Sequence, residues 1–474
     1  MNRKQQLLKR HRRNKRLGLL FGLVLLVVVG VLVAWWLPLV LAVVAWAAHE
    51  AWFADHLFYA PASDYDYQLD ADECHAVVLR DGCVSVPGTC RLQAQDTLIL
   101  KIRLRAGWLG RFFDPAVKIH GDEADCQAFE RGVAGVRYLN LTGHSQALGE
   151  GRLRLAGQFC RLDHDAELFV CRHPDYLAGP LLVIAPHADD AELAAFATYA
   201  EARESWIVTL TAGEIEAEHY RDMGLDPVSA ARLKGQLRAW DSLSVPLWAG
   251  VPQERCVQLG YFCLQLPAMK AQPDQAVGSR EADLLDTRPF RRFNNVVLAS
   301  DANGAPSWHN LIQDLCELIE RIRPASIVLP EPTLDPHPDH VCARDAVIEA
   351  LAQTRWQPEV LLHYANHLHD NDRWPMGDAG NGVALPPYFD RDAAMRPWAR
   401  TVSTQTQWQK AMSLGMMHDL QPRLPFKRRL RRVLQRYLAG RKWPAFGENE
   451  FFRKAVRRHE LFWVETCADK REQR

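Results

Sequence analysis

An apolar run from Leu17 to Ala48, with no charged side chain inside it, constrains this chain more than any other feature. A helix rises about 1.5 Å per residue, so the run reaches roughly 48 Å against a hydrocarbon core of about 30 Å. One span fits with tilt; two do not. Pro38 is expected to kink the helix or end it near the interface. Trp35, Trp36, Trp46 and Trp52 suit the zone where an indole ring meets both lipid and water. Eight Lys and Arg in residues 1–16 precede the run, and none follows before Arg80. The positive-inside rule then predicts a basic cytoplasmic tail (1–16), a single-pass anchor in the bilayer (17–48) and the rest of the chain on the far side. Ala45-Trp46-Ala47 mimics a cleavage site, but the run far exceeds a usual signal-peptide core of about 7–15 residues, so an uncleaved anchor is the preferred reading.

The 474 residues hold 57 basic and 57 acidic side chains. A net charge of zero excludes a uniformly polybasic nucleic-acid binder, and 48% hydrophobic content excludes a disordered chain. The charge is partitioned, however. Residues 427–458 carry twelve Lys and Arg against two Glu. Within the segment 426–474, Leu430, Val433, Leu434, Tyr437 and Leu438 recur at helical spacing, with Arg428, Arg429, Arg431, Arg432 and Arg436 on other faces. Such a basic amphipathic helix either lies on anionic head groups or phosphorylated glycan, or packs its stripe on a neighbouring domain.

Residues 62–175 alternate with strand period between Gly, Asp and Pro, as in Thr97–Leu104 and Val136–Leu141. They are expected to form a small β-sandwich accessory domain. Its six cysteines (Cys74, Cys83, Cys90, Cys126, Cys160, Cys171) either pair as disulfides or remain buried thiols. From Gly179 the pattern changes to buried apolar strands (181–185, 206–210, 326–329, 360–362) alternating with helical stretches. This predicts a doubly wound α/β domain with a parallel sheet over 179–425, with residues 263–310 inserted over one edge.

Two motifs follow strands of that domain. Pro186-His187-Ala188-Asp189-Asp190-Ala191-Glu192 follows the first, and Asp335-Pro336-His337-Pro338-Asp339-His340 follows the strand at 326–329. The carboxyl ends of strands in an open α/β sheet form one ligand-binding rim, so clusters about 150 residues apart in sequence meet there. A catalytic zinc commonly takes three ligands from His and Asp or Glu and keeps one position for water. His187, Asp190 and His340 suit those places. Asp189 remains free as a base for the attacking water, and His337, if protonated, as a stabiliser of an oxyanion. Asp339 or Asp335 is expected to orient the His337 ring and keep it charged.

The pair of motifs resembles the PIG-L/LmbE-type zinc de-N-acetylases, whose signatures are Pro-His-x-Asp-Asp with a nearby Glu and His-x-Asp-His. The resemblance covers roughly residues 180–460 and extends to Thr211-Ala212-Gly213-Glu214 and to Met417-His418-Asp419-Leu420-Gln421. It implies a Rossmann-like fold, Zn2+ as cofactor, and hydrolysis of the acetamide of an N-acetylated amino sugar in a glycan. By the same resemblance His187, Asp190 and His340 are ligands, Asp189 the base and His337 the charge stabiliser, with Arg232 and His418 as substrate contacts. Two departures stand out. Leu193-Ala194-Ala195-Phe196-Ala197 replaces a glycine-rich stretch, and Leu259-Gly260-Tyr261-Phe262-Cys263 lacks the usual Asp. The order of anchor, β-domain and deacetylase is similar to that of envelope enzymes of this family. That implies a bacterial inner-membrane protein with a periplasmic catalytic domain and a lipopolysaccharide-core substrate. The alternative is a non-catalytic glycan-binding or envelope-assembly protein with a degenerate α/β site.

Overall fold

The structure, a computed structural model, describes residues 3–88, 90–368, 370–390 and 393–467. Residues 1 and 2 of the basic tail and 468–474 of the C-terminal segment lie outside them.

The strand Pro180–Ala185 is the centre of the larger sheet. It pairs in parallel with Glu204–Thr211 on one side and Ser326–Pro330 on the other; Cys256–Tyr261 and Val360–Tyr364 extend the parallel run outward. The chain thus builds outward in one direction, crosses back, and builds the other way, so the strand order reverses between Pro180–Ala185 and Ser326–Pro330. Such a reversal opens a crevice at the strand ends. His459–Thr466 and Ala394–Thr401 then add an antiparallel flank. Leu181 to Ala185 are all buried because helices cover both faces. Leu181, Val183 and Ala185 share a core with Phe196 and Tyr199 of the helix Asp190–Glu201. Leu182 and Ile184 pack instead with the helices Trp308–Ile322 and Pro338–Gln353. The inserted residues cap the exposed edge: Asn294 exchanges hydrogen bonds with the backbone of Gln258, and Arg291 Nε donates to Leu259 O.

The accessory region forms one continuous antiparallel sheet of eight strands, in place of the two sheets of a sandwich. Ala116–His120 lies near one end of that sheet and Thr97–Ala106 near the other, yet Val117 and Ile119 share a core with Leu98, Leu100 and Ile102. The sheet therefore curls onto itself. The six cysteines of this region are free thiols, so the disulfide alternative is not realised.

The N-terminal apolar run is two helices, Arg3–Leu32 and Leu37–Ala48, where the sequence suggested one. Pro38 sits in the first turn of the second, where its missing N–H costs nothing. Arg12–Leu32 is long and apolar enough to cross a membrane, a property shared by anchors and signal sequences. The second helix continues as His49–Phe53 and meets the C-terminal basic helix, Phe426–Ala439, where Arg431 Nε donates to Glu50 Oε2 at 2.5 Å. The basic helix thus packs on the end of the apolar run, not on the α/β core, and leaves Phe426, Val433 and Tyr437 exposed.

Candidate active site

The two motifs meet at the carboxyl ends of the central strands. Pro186 leaves the strand Pro180–Ala185 and is fixed there by the Thr211 N–H and hydroxyl, which both donate to its carbonyl. Asp189 is the N-cap residue of the helix Asp190–Glu201, and His337 that of Pro338–Gln353. Two helix N-termini therefore face the same crevice, where their dipoles favour negative charge.

Three donor atoms form a small triangle. His187 Nδ1 lies 3.0 Å from Asp190 Oδ2, Asp190 Oδ2 lies 3.1 Å from His340 Nε2, and the two imidazole nitrogens are 3.4 Å apart. A tetrahedral ion bound at about 2.0–2.2 Å has ligand edges of about 3.3 Å, so the donor set fits a single such metal. All three residues are buried. Burial alone would raise the Asp190 pKa, but the flanking His340 and His187 outweigh it and hold the carboxyl well below the usual range.

A surrounding set of bonds orients each of these side chains. His340 Nδ1 pairs with Asp335 Oδ2 at 2.9 Å, and that oxygen also accepts from the N–H groups of Asn366 and His367. Asn366 Nδ2 donates to Asp190 Oδ1 at 2.9 Å. His187 Nε2 lies 3.2 Å from Asp339 Oδ2, which also accepts from the Leu264 N–H at 2.7 Å. Asp335 and Asp339 thus serve His340 and His187, and neither bonds the His337 ring, whose Nδ1 is without a partner. Burial, then His187 and His340, push the His337 imidazole down to about 3. These surroundings disfavour the charged ring expected from the motif.

Asp189 Oδ1 accepts from Arg238 Nη2 at 2.9 Å, and Arg238 also pairs with Asp419, which Lys234 reaches at 3.1 Å. Gly213 makes room for this arginine: it adopts φ +63°, and a Cβ there would lie 2.3 Å from Arg238 Nε. Arg232, singled out in the sequence, points away and bonds the carbonyls of Ala282 and Asp283. His418 pairs with Asp241 at 2.6 Å and is 45% exposed. His418 is thus one residue from Asp419 on the Arg238 side of the crevice.

The sequence reading missed Arg238, Asn366, His367 and Cys263. The His367 ring stands 5.0 Å from His340 and 5.6 Å from His337, centroid to centroid. Cys263 Sγ, His187 and Asp339 offer donor atoms close enough to share an ion, and so do Asp190, His340 and His367. Asn366 and His367 directly follow the strand Val360–Tyr364, so the rim argument applied to a third strand would have found them.

No curated protein matches the chain. Among solved structures it is similar to a deacetylase triple mutant involved in the teicoplanin biosynthetic pathway, at 16% identity and TM-score 0.33, covering 61% of this chain and 99% of that one. It is also similar to GalB, the 4-carboxy-2-hydroxymuconate hydratase from Pseudomonas putida KT2440, at 13% identity and TM-score 0.31, covering 55% and 84%. Residues 182–351, which include both motifs and the whole donor triangle, match the model of the PIG-L family, described as GlcNAc-PI de-N-acetylase.

Proposed function

We propose that the chain is a metal-dependent de-N-acetylase that hydrolyses the acetamide of an N-acetylated amino sugar. The observation that carries this reading is the His187–Asp190–His340 triangle, closed to within 3.4 Å beside the carboxylate of Asp189. A metal ion there, zinc in this reading, supplies Lewis-acid polarisation and a lowered water pKa. The rest is done by this chain. Asp189 accepts the proton of the attacking water through Oδ2, since Arg238 engages Oδ1. His337 donates a hydrogen bond to the oxygen of the tetrahedral carbon. Asp189 then returns its proton to the nitrogen as the carbon–nitrogen bond breaks, giving acetate and a free amine. Asp339 keeps His187 oriented, and Arg238 and His418 border the sugar, with Arg238 in the role that the family resemblance implied for Arg232.

We assign the apolar helix Arg12–Leu32 as an uncleaved inner-membrane anchor with the catalytic domain in the periplasm, and an envelope glycan as substrate. The order of anchor, β-domain and hydrolase domain also resembles the pseudomonad envelope enzyme DnpA, which makes the lipopolysaccharide core the first substrate to try. Mass analysis of envelope glycans with and without the enzyme tests this: removal of one acetyl group lowers the mass by about 42 units per site. Unchanged glycans, together with no metal bound to the purified chain, would favour a binding or assembly protein instead.

A further inference from the structure

Resting on that reading, we infer that a cationic cavity outside the metal site holds phosphate groups of a membrane-borne substrate. The cavity is about 960 Å³ and lies between the accessory sheet, the segment 372–381 and the basic helix Phe426–Ala439. Nine Lys and Arg side chains and five carboxylates line it, a net charge of +4.

Its inner wall is short of negative charge. Arg373 and Arg441 of the wall, together with Arg131 outside the lining, share two carboxylates, Asp55 and Asp114. Burial, opposed by Asp114 but reinforced by Arg373 and Arg441, pushes Arg131 down to about 10. Gln435 Nε2, on a side chain that lines the cavity and is 3% exposed, is a buried donor without a hydrogen-bond partner. A buried donor left unpaired carries an uncompensated desolvation cost, which an anion with several acceptor oxygens would recover.

Position supplies the rest. Ala54, Asp55 and His56 on the cavity wall directly follow His49–Phe53, the end of the apolar run. The cavity wall therefore adjoins the end of the second apolar helix, and Phe53 just before it is exposed. On the far wall, the helix Glu450–Ala455 presents Glu450, Arg453 and Lys454 to the cavity. Its Phe451 ring packs on His367 at 5.6 Å, and His367 abuts His340. Lys454 also lines a second, smaller cavity shared with Asn366. One helix thus separates the cationic cavity from the metal site. A phosphorylated saccharide seated in the cavity can present its N-acetyl sugar to the donor triangle.

Calorimetric binding of inorganic pyrophosphate to the full chain in phosphatidylcholine nanodiscs tests the assignment. Arg428 and Lys442 line the cavity from its exposed side. The R428Q/K442Q variant is expected to bind about tenfold more weakly, and Gln435→Leu about threefold more weakly. Equal binding by all three proteins, or none by the unaltered chain, overturns the inference. Competition by added phosphatidylglycerol would identify the phosphate as a lipid head group; its absence would place the phosphate on the glycan. Acetate release from the envelope glycan, and metal content, are measured in parallel. Absence of both, with pyrophosphate still bound, would refute the hydrolase reading and leave the anion site standing.

Discussion

Asp189 and its neighbours show how few atoms carry the proposed chemistry. With Oδ1 engaged by Arg238, one oxygen of Asp189 remains to move a proton. Asp189→Asn keeps the shape and removes the base, so acetate release is expected to fall about a hundredfold to ten-thousandfold with metal content unchanged. Full activity in that variant would refute the mechanism. Asn366 acts one step further out, by holding Asp190 Oδ1. Asn366→Ala is expected to weaken metal binding about tenfold or more, read by competition with a chelator; an unchanged affinity would remove Asn366 from the site. The His and Asp motifs were legible because each is a local run directly after an apolar strand. Arg238 was not, because a helix places it. Arg232 and Arg238 lie on one helix, Pro227–Ser244, six residues apart and so about 120° apart around its axis. The chain alone does not say which of these faces meets Asp189.

At the scale of elements, the helix that begins at Asp190 is broken. Ala195 has φ −138° and ψ 21°, non-helical values. Glu460 repairs the break: its carboxylate accepts from the N–H groups of Ala197 and Thr198 and from the Thr198 hydroxyl. Lys410 Nζ lies 2.9 Å from the same carboxylate, with both side chains 2% exposed. Removing one partner of such a buried pair strands the other charge, so Glu460→Ala is expected to cost about 3–5 kcal/mol in chemical denaturation. The K410M/E460Q double variant removes both charges and keeps an acceptor for one of the two N–H groups, which bind different oxygens of Glu460, and is expected to recover part of that loss. No recovery would show that the ion pair itself, rather than the cap, stabilises the helix. Strand and helix periodicity located four parallel strands of the α/β domain to within a few residues, but not Cys256–Tyr261 or the antiparallel flank of Ala394–Thr401 and His459–Thr466. It could not give the curled accessory sheet, because alternation tells which side chains share a face and not which strands pair. Nor could hydropathy show the break in the apolar run, since Val33, Ala34 and Trp35 there are as apolar as the helices they join.

The whole molecule is joined by a seam between its two sheets, and the seam is expected to be sensitive to acid. Gln68 and Leu69, ahead of the accessory sheet, pair in parallel with Ala394 and Met395 of the α/β sheet. Thr97 and Ala399 exchange hydrogen bonds across the boundary. Two histidines lie beside these contacts. His459 Nε2 is 3.1 Å from Thr142 O, while its Nδ1 accepts from the Val383 N–H at 3.3 Å, which makes Nε2 the protonated nitrogen of a neutral ring. His173, on the connection between the sheets, sits 3.0 Å from Pro397 O and 3.2 Å from the Tyr176 hydroxyl. Burial, with Arg396 nearby, pushes its imidazole down to about 4. In the unfolded chain the same ring takes up a proton near pH 6.5. Between these values the unfolded state binds more protons, so stability is full above about pH 6.5 and is lost as the pH falls towards 4. Allowing for its partial exposure, His173 accounts for about 2 kcal/mol of that loss. His173→Gln removes the titration. The expected result is a smaller drop in urea midpoint between about pH 7 and pH 4.5 than in the unaltered chain; parallel curves would place the acid sensitivity elsewhere. If the seam opens first, metal stays bound to the α/β domain after the accessory sheet has detached, because every donor of the triangle lies on one side of it.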